Sequence, residues 1–132
     1  MNAMDDHTAI NLPDVLAEVT AASARYEHAL VHNEVEMLDA LFFHSPHTVR
    51  YGATECLYGI DAIRAFRSGR SAAGLARTLR STTLTTYGRD FATASTEFAR
   101  EGSARTGRQQ QTWVRMPEQG WCVVAAHVSL MD

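Results

Sequence analysis

Residues 77–131 read RTLRSTTLTTYGRDFATASTEFAREGSARTGRQQQTWVRMPEQGWCVVAAHVSLM, and this stretch decides the fold. Four segments within it, 77–87, 91–100, 105–116 and 121–131, are rich in Thr, Val and aromatic residues, the composition of half-buried strands. Turn-forming residues separate them: Gly88-Arg89-Asp90, Gly102, and Pro117-Glu118-Gln119-Gly120. Long strands joined by tight turns form an antiparallel meander.

Upstream the pattern changes period. Leu12, Leu16, Val19, Ser23, Tyr26 and Leu30 step by four and three, one stripe on a helix. Asn11 is placed to cap that helix, with Pro13 in its first turn and Asp14 three residues after the cap. Residues 35–43 read as a short second helix, ended by Ser45-Pro46. Residues 48–52 and 55–58 read as short strands, and 61–67 as a short helix with Ile63 and Phe66 inward. Helices come early and the sheet late, an α+β plan. A bent antiparallel sheet could wrap the long first helix and leave a pocket against its concave face. We read one domain over 11–131, preceded by a disordered tip over 1–10.

The 132 residues carry twelve basic and fifteen acidic side chains, and every basic one is arginine. Schiff-base and P-loop chemistry, both of which use lysine, are therefore excluded. Residues 1–49 hold eight acids and Arg25, whereas 50–115 hold eleven arginines and five acids. That excess is either a solvated face or a site for small anions. The N-terminal segment has Asp5 and Asp6 and no basic residue, unlike a signal peptide. No apolar run is long enough to span a membrane, and the acidic balance argues against nucleic acid. Cys56 and Cys122 are far apart and read as free, reduced thiols of a cytoplasmic protein. His44 and His47 have no defined ligand spacing, so no metal is expected. Neither GxGxxG nor GxSxG occurs, so neither a nucleotide cofactor nor a serine triad is expected.

The words ARYEHAL (24–30), SPHTVRYG (45–52), LYGIDAIRAFR (57–67), TYGRDFATASTEF (86–98), GRQQQTWVR (107–115) and AAHVSLM (125–131) resemble the AtzH-like family. That family lies within the nuclear-transport-factor-2-like superfamily, whose cone is shared by SnoaL-type cyclases and ketosteroid isomerases. The resemblance implies a small cytosolic protein linked to hydrolysis of a dicarboxylated urea with loss of carbon dioxide, and to amidases of similar chemistry. It also implies that a helix-one tyrosine and a first-strand arginine carry the activity, here Tyr26 and Arg50. Ketosteroid isomerases place an aspartate base on an early strand. The matching segment here has Arg50 and no carboxylate, which suits an anionic substrate.

Read from the residues, Tyr26 is either a core tyrosine or a phenol presented to the pocket, where it would donate a hydrogen bond at neutral pH. Arg50 faces away from Val49 and Tyr51; it is either exposed or an inward fork for a carboxylate, which a lysine could not reproduce. On the last strand Val123, Ala125, His127, Ser129 and Met131 alternate with a uniformly apolar set. We place His127 and Ser129 toward the pocket, with Gln110 beside them on the preceding strand. His127 is the one candidate base among them. Two functions follow: a cofactor-free hydrolase of a small carboxylated urea or amide, or a non-catalytic anion-binding scaffold for an amidase. A homodimer formed through the outer sheet face, with Trp113, Gln109 and Gln111 lining it, is expected in either case.

Overall fold

A computed structural model describes residues 5–132. The elements are α1 (Asp5–Thr8), α2 (Pro13–Val31), α3 (Val35–Ala40), β1 (Val49–Tyr51), β2 (Cys56–Tyr58), α4 (Ile60–Ser68), β3 (Thr78–Tyr87), β4 (Phe91–Ala99), β5 (Gly107–Met116) and β6 (Gly120–Leu130). The α+β order read from the sequence holds. All six strands form one sheet in the order β2-β1-β6-β5-β4-β3.

The sheet is mixed rather than wholly antiparallel, because β1 runs parallel to β6. The cause lies just upstream. The end of α3 is stitched to β6 by Val123 N–H to Leu41 O (2.8 Å) and Phe43 N–H to Val123 O (2.9 Å). The chain then continues along β6 in the same direction and becomes β1. Two bulges bend the sheet. One lies between Arg80 and Thr83 of β3, where Ser81 has φ 54°, and one is opposite Thr112 and Trp113, where Val124 of β6 is the extra residue. An extra residue on one strand kinks it and increases its twist.

The bent sheet closes over α2. That helix buries Val15, Val19, Ala22, Tyr26, Ala29 and Leu30. The expected stripe is right at Val19, Tyr26 and Leu30. Leu12, Leu16 and Ser23 are only half-buried, because Val15, Ala22 and Ala29 take the centre of the face. Asn11 does not cap the helix. Its backbone is left-handed (φ 57°), and its side-chain oxygen accepts from Thr86 N–H at 2.9 Å. Leu12 occupies the cap position with no side-chain hydrogen bond.

The expected disordered tip is also revised. Its first four residues lie outside the described ones. Asp5–Thr8 is a helical turn, Ile10 bridges Tyr87, and Gly88 N–H donates to Ala9 O at 2.9 Å. Backbone pairing to the end of β3 therefore anchors the chain before α2 begins.

Candidate functional site

One row of side chains crosses the interior face of the sheet: Arg50 on β1, Ala126 on β6, Gln111 on β5 and Ala94 on β4, each registered against the next. All four are buried. The two alanines contribute little volume, so helix and loop side chains pack against this part of the sheet. Tyr26, 5% exposed, belongs to the same buried cluster from the helix side. Its ring lies 6.1 Å from that of Phe42.

Arg50 is 8% exposed and donates from Nη1 to Glu55 Oε1 at 3.0 Å. Glu55 crosses the β1–β2 turn to reach it, over Gly52; a Cβ on Gly52 would collide with the Glu55 carboxylate. Burial pushes the Glu55 carboxyl up, but hydrogen bonds from Thr54 and Arg50 and the guanidinium charge outweigh this and hold it below its ordinary value. The Arg50 guanidinium also lies 5.4 Å from the Phe66 ring centre.

Two further arginines enter from α4 and the residues after it. Arg67, 2% exposed, donates from Nη1 to Asp39 Oδ1 at 3.0 Å and stacks over Phe42 at 4.1 Å. Its Nη2 is buried without a partner. Half-buried Arg70 lies 5.7 Å from the Phe66 centre, and its Nε and Nη2 are likewise unpartnered. Burial first, and then the Arg50 charge, lower the proton affinity of the Arg70 guanidinium; burial also dominates at Arg67, which feels both Tyr26 and Arg50. Gln111 accepts from the Trp113 indole N–H at 3.1 Å, which fixes its amide orientation and leaves Nε2 an orphaned donor.

Arg67 was legible in the sequence. Ile60, Ile63 and Arg67 are spaced three and four apart, so an arginine sits at the third position of an apolar helical stripe. Arg70, Glu55 and Asp39 carry no such signal, since contacts distant in sequence or turn geometry bring them in.

The expectation that Gln110, His127 and Ser129 face this pocket does not hold. His127 registers with Tyr51 and Gln110, and Gln110 with Ser95, a row on the opposite face. His127 meets the Tyr51 ring edge-on at 5.7 Å. Gln110 and His127 are exposed, and with Ser129 they line a shallow outer groove of about 400 Å³. The bulge at Val124 explains part of the error. It breaks the alternation, so that Val123 turns inward with Ala126 rather than outward with His127. Conversely Gln109, Gln111 and Trp113, expected on an outer interface, are buried inside. Among the described residues no three His, Cys, Asp or Glu side chains gather to hold a metal ion.

A family model described as AtzH-like matches residues 8–132. The chain belongs to the AtzH-like family. Two crystal structures are close to it. A protein of unknown function from Pectobacterium atrosepticum is 61% identical over 100% of this chain and 99% of its own, with a TM-score of 0.92. A cystatin-like fold protein from Burkholderia xenovorans is 49% identical over 95% and 98%, with a TM-score of 0.91. A nuclear transport factor 2-like superfamily protein from Salmonella enterica shares the fold at 24% identity, covering 90% and 92%, with a TM-score of 0.72. No curated protein matches the chain at a significant level. The AtzH-like protein is thus an NTF2-like α+β cone whose interior gathers arginines.

Proposed function

We propose that this AtzH-like protein is a cofactor-free hydrolase that releases carbon dioxide from a small carboxylated urea or related amide. One observation carries the reading: Arg50 is buried in an arginine-rich interior, with Tyr26 interacting with Arg67 and Arg70 of the same interior, and donates to Glu55 from a single nitrogen. The remainder of its fork can clamp a substrate carboxylate through parallel hydrogen bonds.

The chemistry needs a proton more than a base. In an N-carboxylate, a proton delivered to nitrogen allows the nitrogen–carboxyl bond to break. Its electron pair stays on nitrogen and the carboxylate leaves as carbon dioxide. Tyr26 relays that proton from water or hydrogen-bonds the neighbouring carbonyl, and Arg50 holds the substrate in position. His127 has no part, since it stands on the other face of the sheet. The carboxylates of this interior, Glu55 and Asp39, are both engaged by arginines.

The test is carbon dioxide release from carboxylated ureas by the purified protein, followed by Arg50→Lys and Tyr26→Phe. Each variant should lose about a hundredfold in kcat/KM, the scale of one fixed donor. Undiminished turnover in both would sink these roles.

The second reading is a non-catalytic anion-binding or scaffold subunit of an amidase. The polar outer groove around Gln110, His127 and Ser129 favours it, as a surface separate from the arginines. Co-purification with an amidase, and no turnover alone, would decide for it. In either reading the protein acts in the cytoplasm as a homodimer, without nucleic acid or membrane. No helix among the described residues is long and apolar enough to cross a membrane. Light scattering gives the mass, and a monomer would remove the dimer.

A further inference from the structure

We propose that His28 and His32, at the C-terminal end of α2, form a surface site for a late first-row divalent cation, Cu²⁺ before Zn²⁺. The site lies outside the arginine interior and takes no part in the hydrolysis proposed above. Four residues apart on a helix, the two side chains are neighbours on one face. Their rings stack with centres 4.1 Å apart and planes 29° from parallel. His32 Nδ1 lies 2.8 Å from His28 O. A carbonyl only accepts, so Nδ1 carries the hydrogen, and Nε2 of the neutral ring carries the lone pair that a metal needs. Ligating histidines are held in this way, by an N–H donated to a backbone carbonyl.

The surroundings favour a cation. The C-terminal end of a helix carries the negative end of its dipole. Asn33 is left-handed (φ 52°), and Glu34 N–H closes on Ala29 O at 2.8 Å. That turn brings Glu34 Oε2 to 3.6 Å from His28 Nε2. Glu34 supplies counter-charge and the two imidazoles are the ligands, so the site has two protein donors rather than three. Water completes the shell, and a groove of about 270 Å³ beside His28, lined by Ala24, Arg25, Glu34 and Met37, gives it room. Two nitrogens on one ion each sit about 2.1 Å from it, a span that adjacent stacked rings meet by small side-chain rotations. Imidazole suits copper, nickel and zinc, and copper stands above both neighbours in affinity. The other close pair, His44 and His47, lies in the turn after α3 and shares no helix face.

Titrating the full chain, free of any affinity tag, with Cu²⁺ tests the site by calorimetry and electron paramagnetic resonance. The first ion bound should give a spectrum split by imidazole nitrogen. His28→Ala and His32→Ala should each weaken it at least about tenfold, the lower end of what even a lost outer-shell contact costs at a metal. Both residues are exposed, so both variants should fold, with melting temperatures close to wild type before metal is added. Cu²⁺ should then raise the melting temperature of the wild type more than that of either variant. Zn²⁺ should bind the wild type more weakly than Cu²⁺, and His44→Ala should bind Cu²⁺ as the wild type does. Cu²⁺ binding that neither α2 variant weakens, or that His44→Ala weakens instead, overturns the site. So does a bound ion without an imidazole signal.

Discussion

Gln109, Gln110 and Gln111 are chemically identical neighbours on β5, and they meet two different environments. Gln109 and Gln111 are buried inside the cone, where one accepts from Arg77 and the other from Trp113. Gln110 is exposed on the outer face and donates to Ser95 at 3.1 Å. The interior face is buried and largely apolar, with a few polar groups such as Arg50, Gln109 and Gln111 set into it. The outer face is polar and wet, with hydroxyls, glutamine and histidine that water already satisfies. Polarity in a strand therefore does not tell which face holds the site. A polar group costs little in water and must be partnered inside, so the buried polar residues are the informative ones.

Trp113→Ala should break the contrast most severely. This side chain is fully buried, and its loss should cost about 3–5 kcal/mol in urea denaturation. Next comes the pair Gln111→Leu and Gln110→Leu. The first strands the Trp113 indole N–H and should cost about 1–3 kcal/mol, while the second should stay within about 0.5 kcal/mol. Equal costs would mean the two faces are not distinguished as described.

A third test uses acid. Glu55 titrates below its ordinary value when folded, so its contribution to stability is present above the unfolded value of 4.5 and is lost as pH falls through the folded one. Wild type should lose stability on that limb faster than Glu55→Gln, as read by thermal melts from pH 6 downward (roughly two units around the carboxylate range). Parallel pH profiles would place the Arg50–Glu55 pair outside the stability balance.

The smallest effect is on thiol access. Cys56 is exposed, whereas burial pushes the Cys122 thiol up to about 11. Below pH 9 a thiol reagent should label one cysteine per native chain and two after unfolding, because only the thiolate reacts. Its raised value also means that stability from Cys122 is complete below pH 9.0 and declines as pH rises toward 11.

Much of the fold was legible locally. Thr- and Val-rich stretches gave every long strand, and a three-four spacing gave the long helix with Val19, Tyr26 and Leu30 inward. The errors share one cause. Asn11 has good capping chemistry, but Thr86, 75 residues away, claimed its side chain. His127 and Ser129 alternate correctly with their neighbours on β6, yet a bulge reverses Val123, and the polar side of the strand is the outer one.

By itself the chain determined its element order, its family and the absence of lysine chemistry, because these depend on residue type and on spacings within one turn or strand. Only the tertiary structure decided which face of each strand is dry, which arginines are paired, and that Arg67 and Arg70 join Arg50. Strand alternation defines two faces without saying which one is inside. Sheet bending, bulges and the seat of α2 make that choice, and they come from contacts between residues far apart in the chain.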